Sequence, residues 1–322
     1  MAERIASDGP AKILRRALDR RTSSPRPCPT TAFRVLNGPG DGGPPGVTVD
    51  LYDRWAVLSV REHVETSVRS AWTEALLEVL EPLGVVAKVW APRIAESRSS
   101  VVHGEVPEAL EIEEAGVRLE CHLNDGMQTG VFLDHRETRV RAAELSPGAE
   151  VLNLFAYTCA FSVHAALGGA KRVTSVDVAK PALAWGRRNM SLNGVDPNHH
   201  RWFADDVLLH LRKPRRAYDL VIADPPVFGH GKRPFSLKER LDELLEGCVG
   251  QVADEGTLIF STHHLSVGIE ELGDRLSAAA LRDRARLESV TVTGLPEWDH
   301  PTREAERDRG EYLSVISARV LR

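Results

Sequence analysis

Carboxylates close three short apolar runs of this chain at a spacing that suits a ligand crevice. Asp177 ends Arg172-Val-Thr-Ser-Val-Asp177, Asp205 and Asp206 end Trp202-Phe-Ala-Asp-Asp206, and Asp224 ends Tyr218-Asp-Leu-Val-Ile-Ala-Asp224. Ahead of them lies Val151-Leu-Asn-Leu-Phe-Ala-Tyr-Thr-Cys159, which reads as a buried strand entering a tight turn, with Phe161, Val163 and Ala165 starting a helix. Asp177 follows that turn by about 20 residues, where doubly wound folds place the acid that accepts from both ribose hydroxyls. Asp206, or its neighbour Asp205, is placed to accept from an adenine amino group. The plainer role for each of these acids is to cap a helix or turn.

The ligand is narrowed by what the first turn lacks. It has no G-x-G-x-x-G and none of the close glycines that let a pyrophosphate sit on a helix N-terminus, which disfavours a dinucleotide. S-adenosyl-L-methionine fits better: it has a ribose for Asp177, an adenine for Asp206, and a methionine tail that needs close backbone approach but no phosphate cradle. Asn153, Phe155, Ala156, Tyr157 and Thr158 are expected to line it, together with Asp224.

The run Asp224-Pro225-Pro226-Val-Phe228 suggests where an acceptor is held. The two prolines remove backbone donors and fix an extended turn, so free carbonyls beside a carboxylate can accept from an amino group. Phe228 is placed to stack on a flipped base, worth about 1 to 3 kcal/mol, although a core Phe is the plainer reading. Lys232 and Arg233 are placed to meet RNA phosphates, or simply belong to a solvated loop.

These residues need a parallel sheet to carry them. The strands ending at Leu154, Asp177, Asp206 and Asp224 alternate with helices, the helix after the second strand ending at Asn193-Gly194 as a left-handed cap. Helix Leu237 to Val252, strand Gly256 to Ser261, a helix near Ile269 to Leu281 and two closing strands, Leu287 to Thr293 and Glu311 to Arg322, complete it. The expected fold is α/β, a Rossmann-like sheet with an antiparallel C-terminal edge, over 124–322. A small α/β domain is expected over 31–123, with strands at Val47–Tyr52, Trp55–Val60 and Val85–Trp90, a helix near Val68–Leu80, a loop at Arg93–Arg98, and a hairpin turning at Ala115-Gly116. Residues 1–30 form a basic leader, in which Lys12, Arg15, Arg16, Arg20 and Arg21 surround Ile13, Leu14, Ala17 and Leu18. Its cations could hold phosphates, or its apolar stripe could pack on the body.

Composition is ordinary for a globular enzyme, with 42% hydrophobic and 27% charged residues, and the net charge of -5 confines any RNA contact to local basic patches. No apolar run approaches the ~20 residues of a membrane span. Cys28, Cys121, Cys159 and Cys248 lack metal-ligand spacing, so no metal is expected. A cytoplasmic protein, monomer or homodimer, with no membrane partner is the expectation.

The chain resembles the class I methyltransferases that modify bases of bacterial 23S ribosomal RNA. The resemblance runs from about Phe33 to the C-terminus. It is carried by Gly40-Asp-Gly-Gly-Pro-Pro-Gly-Val-Thr-Val-Asp50, Thr129-Gly-Val-Phe-Leu-Asp-His-Arg136, Asn153-Leu-Phe-Ala-Tyr-Thr158, Asp224-Pro-Pro-x-Phe228 and Asp299-His-Pro301. Two branches are similar, the cytosine-5 enzymes and the guanine-N7 half of the bifunctional large-subunit methyltransferase. The resemblance implies a 23S rRNA or large-subunit-precursor substrate. It also implies a lid over the methionine end in which Thr129 permits close approach, Phe132 packs on the cofactor and Arg136 meets a carboxylate.

One departure bears on the reaction. Carbon 5 of cytosine needs a thiolate added at carbon 6, and the cytosine-5 branch carries that cysteine just after the fifth strand. Here the place reads Phe260-Ser261-Thr262-His263-His264, with Thr262 at the cysteine position. Guanine N7 has its own lone pair and needs only orientation. A nitrogen target is therefore expected, guanine N7 first, with His263 or His264 contacting substrate or serving as ordinary loop residues. Methylation of another RNA, DNA or small-molecule acceptor, and cofactor binding without turnover, are the other function classes. In relatives Cys159 is often glycine, so a positive φ there would strain this turn.

Overall fold

The computed structural model describes residues 8–213, 217–229, 235–263, 267–302 and 313–322. They fall into two compact units, one of Met1–Arg136 with Pro296–Glu304 and one of Glu137–Leu295 with Ala305–Arg322. Lys232, Arg233 and His264 lie outside the described residues.

The first unit holds α1 (Pro10–Ser23), β1 (Ala32–Asn37), β2 (Val47–Tyr52), β3 (Trp55–Arg61), α2 (Thr66–Leu80), β4 (Gly84–Trp90), β5 (Arg98–Gly104), β6 (Leu110–Glu114) and β7 (Val117–Cys121). Strands β1 to β5 pair in chain order, and only β3 and β4 are parallel, because α2 carries the chain across between them. The β6–β7 hairpin turns at Ala115 and Gly116, at φ 51 and 81, the doubly left-handed pair a two-residue hairpin requires. β1 and β5 were not anticipated; β5 is an exposed edge strand with no alternating apolar pattern to mark it.

The leader is part of this unit. Ile13, Leu14 and Ala17 of α1 share a core with Val35, Leu36, Val49, Trp72 and Leu76. All five cations of α1 are paired: Lys12 and Arg16 with Asp8, Arg15 with Glu78, and Arg20 and Arg21 with Asp41. The apolar-stripe reading therefore holds for α1, and its charges are spent internally.

The second unit begins within α3 (Arg136–Glu144), at Glu137, followed by β8 (Glu150–Leu154), α4 (Ala160–Leu167), β9 (Arg172–Asp177), α5 (Lys180–Leu192), β10 (Arg201–Ala204), α6 (Val207–Leu211) and β11 (Tyr218–Ala223). After these come β12 (Phe228–Gly229), β13 (Phe235–Ser236), α7 (Leu237–Gln251), β14 (Val252–Thr262), α8 (Ile269–Arg282), β15 (Arg286–Thr293) and β16 (Ser314–Leu321). The sheet runs β10-β9-β8-β11-β14-β16-β15. Its first five strands are parallel and β16 runs antiparallel to both neighbours, as the expected antiparallel edge requires.

Strand alternation divides the core between the two faces. Leu152, Leu154, Val221 and Ala223 join α7 and α8 residues on one side, while Val151, Leu220 and Ile222 join Ala142, Phe161 and Ala165 on the other. Chain order reverses between β8 and β11, which leaves a crevice at their carboxyl ends. Among the described residues no helix is long and apolar enough to cross a membrane.

Candidate active site

The crevice is built by strands that end level. Leu154 pairs with Val176 and Ala223, Asp177 with Ala204, and Ala223 with Phe260, so the loops after β8, β9, β10, β11 and β14 leave from one edge. The loop after β8 is the most constrained. Phe155, Tyr157 and Cys159 have φ of 54, 49 and 62, three left-handed residues that are not glycine within five positions.

Hydrogen bonds hold that shape. Ala156 N donates to Val176 O at 3.0 Å, Cys159 N to Ala156 O at 2.7 Å, and the buried Asn189 Nδ2 to Thr158 O at 3.0 Å. Beneath the turn, Asn153 Nδ2 donates to Ser162 Oγ at 2.8 Å, and Ser162 and Ser175 hydroxyls lie 2.8 Å apart. Asn153 and Thr158 are thus fully buried supports of the turn. The Asn153 side chain braces it from below, and Thr158 does so through its carbonyl.

Asp177 is aimed by the backbone. Its Oδ2 accepts from Tyr157 N and its Oδ1 from Ala179 N, both at 2.8 Å. A carboxylate offers about four acceptor positions, so about two remain for a diol once those amides are served. The half-exposed acid, the strained turn and the absence of a glycine-rich phosphate cradle together fit S-adenosyl-L-methionine. Asp205 and Asp206 both make contacts within the fold. Asp206 Oδ1 accepts from Leu209 N at 3.1 Å and caps α6, while Asp205 pairs with Lys213, whose hydrogen bond holds Asp205 below the usual carboxylate range despite some burial.

At the end of β11, Ser261 Oγ on β14 donates to Asp224 Oδ1 at 2.6 Å. Ser261 is buried, and sequence reasoning gave it no role because nothing local marks a strand serine as the partner of an acid on another strand. Beyond Pro225 and Pro226 the chain pairs Phe228 with Ser236 in a short ladder. The Phe235 ring of that ladder sits 5.3 Å from the Phe155 ring of the first turn. Phe228 itself is 67% exposed, which removes the core-residue reading.

The thiols of this unit are sealed from solvent. Cys159 and Cys248, the two cysteines of this unit, are fully buried, and burial pushes the first up to about 12 and the second higher still. Thr262 is buried and His263 half-buried.

In the first unit, the Thr129 hydroxyl lies 2.9 Å from the Tyr52 hydroxyl, and Phe132 is exposed. Arg136 departs from expectation. It is fully buried, donates to Asp299 Oδ2 at 2.8 Å and to Ala32 O at 3.0 Å, and lies under the Trp298 ring with Glu114 at 3.8 Å. The carboxylate it meets therefore belongs to the protein, and Arg136 is a structural centre of that unit. Two motifs of the resemblance converge there: Asn37 Nδ2 donates to Pro301 O at 3.0 Å, and a Cβ on Gly40 would stand 1.7 Å from the same carbonyl. Burial opposes the Asp299 charge, but His300 and Arg136 outweigh it and bring its carboxyl down to about 2.

Comparison with known proteins agrees with this geometry. Residues 85–292 match the S-adenosylmethionine-dependent methyltransferase family. A Bacillus subtilis (strain 168) protein, YwbD, named provisionally as a ribosomal RNA large subunit methyltransferase, is 35% identical over 89% of this chain and 74% of its own. The ribosomal RNA large subunit methyltransferase K/L of Stutzerimonas stutzeri (strain A1501) is 34% identical over 78% of this chain, but the chain spans only 35% of that protein's length. The crystal structure of SMU.776, provisionally a methyltransferase and complexed with SAH, superposes with a TM-score of 0.85 at 29% identity, over 97% of this chain and 82% of that one. With a Rossmann-like sheet and an oriented carboxylate at its switch point, this chain belongs to the S-adenosylmethionine-dependent methyltransferase family.

Proposed function

We propose that the protein methylates a base of 23S ribosomal RNA, at a nitrogen, guanine N7 first. The RNA reading is supported by the names of its relatives, ribosomal RNA large subunit methyltransferases. The nitrogen reading is supported by one observation: both thiols of the methyltransferase unit are sealed in its core and Thr262 stands where a cysteine would be needed. Bound S-adenosyl-L-methionine supplies the electrophilic methyl. The chain's own contribution is then position. Asp177 and the strained turn bind and orient, Asp224 held by Ser261 accepts from an amino group of the acceptor base, and exposed Phe228 offers a stacking face. His263, and His264 beside it in sequence, are proposed to contact substrate.

Nucleoside mass spectrometry of large-subunit RNA methylated by the purified protein tests this reading. The expected product is 7-methylguanosine. Formation of 5-methylcytidine, or a stable covalent complex with RNA carrying 5-fluorocytosine, would overturn it.

A further inference from the structure

The charges of the second unit are unevenly satisfied. On the α7–α8 side, Arg212 pairs with Glu243, Arg275 with Glu271 and Arg282 with Glu246; on the antiparallel edge, Arg286, Arg319 and Arg322 are each paired with a carboxylate. The opposite edge differs. α5 carries Lys180, Arg187 and Arg188 and no acid at all, and all three are exposed. Lys180 and Arg187 pair with no carboxylate among the described residues.

The geometry there is that of a polyanion surface. Lys180 and Arg187 stand seven residues apart, hence on one face of α5, about 10 Å apart along its axis. The Arg187 guanidinium lies 4.8 Å from the centre of the Trp202 ring on β10, and the indole is fixed by its own bond from Nε1 to Pro197 O at 2.8 Å. A stacked guanidinium keeps its in-plane N–H donors for an oxygen ligand while its flat face is held. Phosphate is the ligand that matches a planar fork. Lys180 sits at the N-terminal end of α5, three residues beyond Asp177, so this row starts beside the cofactor edge of the sheet.

We propose that the face of α5 bearing Lys180 and Arg187, with Trp202 of β10 against it, is a docking track for the phosphate backbone of the RNA substrate. The inference rests on the RNA reading above. In a chain of net charge -5, RNA must be gripped locally, and the cations of α1 are already paired.

The test is the double substitution Lys180→Gln with Arg187→Gln, assayed for binding of a large-subunit RNA fragment from roughly 50 to 200 mM salt. The slope of log affinity against log salt should fall by about 1.4, at about 0.7 for each phosphate no longer neutralised. Calorimetric affinity for S-adenosylhomocysteine should be unchanged. Arg187→Lys in the wild-type background should keep most of the slope, because the charge remains. An unchanged slope in the folded double variant refutes the track and leaves the RNA reading standing. Wild-type protein with no salt-dependent RNA binding defeats the RNA reading and the track with it, and so does binding to anionic lipid vesicles in its place. Should the double variant not fold, Lys180→Gln alone serves, with a slope change of about 0.7.

Discussion

Gly186 and Cys159 should behave as one packing unit. A Cβ on Gly186 in α5 would stand 2.5 Å from Cys159 Sγ and 2.7 Å from its Cβ, with a Trp202 ring carbon at 3.2 Å. Gly186→Ala alone therefore overpacks a closed site at about 1 to 3 kcal/mol, less about 1 kcal/mol of helix propensity regained. Cys159→Gly alone has opposing parts. It relieves a left-handed backbone worth about 1 to 2 kcal/mol, but deletes a buried side chain worth about 1 to 1.5 kcal/mol. It also adds about 0.5 to 1 kcal/mol of unfolded-state entropy, so the net change is near zero. In the double substitution the new methyl at 186 enters the space the thiol leaves. The clash vanishes, and the helix gain and the relief of strain remain.

The two changes should thus be non-additive by about 1 to 3 kcal/mol in the favourable direction, well beyond the ~0.5 kcal/mol scatter of independent sites. Urea denaturation of the four proteins measures it, and S-adenosylhomocysteine binding reports whether the turn keeps its shape. Additivity within that scatter would mean that α5 and the turn do not pack as described, and the account of how Asp177 is aimed would go with it.

Asp177→Asn should weaken S-adenosylhomocysteine binding tenfold or more, since a charge-assisted bond is worth about 1.5 to 3 kcal/mol; unchanged calorimetric affinity in a folded variant would remove the acid from the site. Phe228→Ala should lower methyl transfer on RNA by about tenfold while leaving cofactor-product affinity within a factor of about two, and a parallel fall in both would assign the ring to the cofactor wall instead. Asp299, brought down to about 2 from an ordinary 3.8, contributes stability that is full above pH 3.8 and lost as pH falls toward 2, on the order of 2 kcal/mol. Asp299→Asn should leave Arg136 buried without its carboxylate, lower stability by about 3 to 5 kcal/mol at neutral pH, and flatten the acid limb of urea stability between those values; an equally steep acid limb would refute the pairing.

The fold was legible where burial is one-sided or complete. β8, β9 and β11 are short apolar runs, the last two closed by a carboxylate, and α7 and α8 repeat their apolar residues at helical spacing. What failed was local pattern without burial. β5 is exposed along nearly its whole length, so its residues carry no period-two signal, and it is a strand only because β4 offers it a free edge. The boundary of the first unit was also out of reach. Its last piece, Pro296–Glu304, follows 159 residues of the other unit, and no local propensity records that Asp299 returns to Arg136.

The site divides along the same physical line. Strand-end acids could be found from spacing, yet spacing cannot say what each acid already holds. Two backbone amides reach Asp177 and one, at the start of α6, reaches Asp206, whereas Asp205 meets the Lys213 ammonium. The same holds for cations. Arg136 in its Asp-His-Arg context and Arg21 in the leader look free in one dimension, but Asp299 and Asp41 neutralise them inside the fold. Arg187, which sequence reading passed over, ends on an indole face with its donors unspent. A charge stays open to a ligand only where the fold brings no counter-charge to it, and that is a property of the pairing, which the three-dimensional arrangement alone decides.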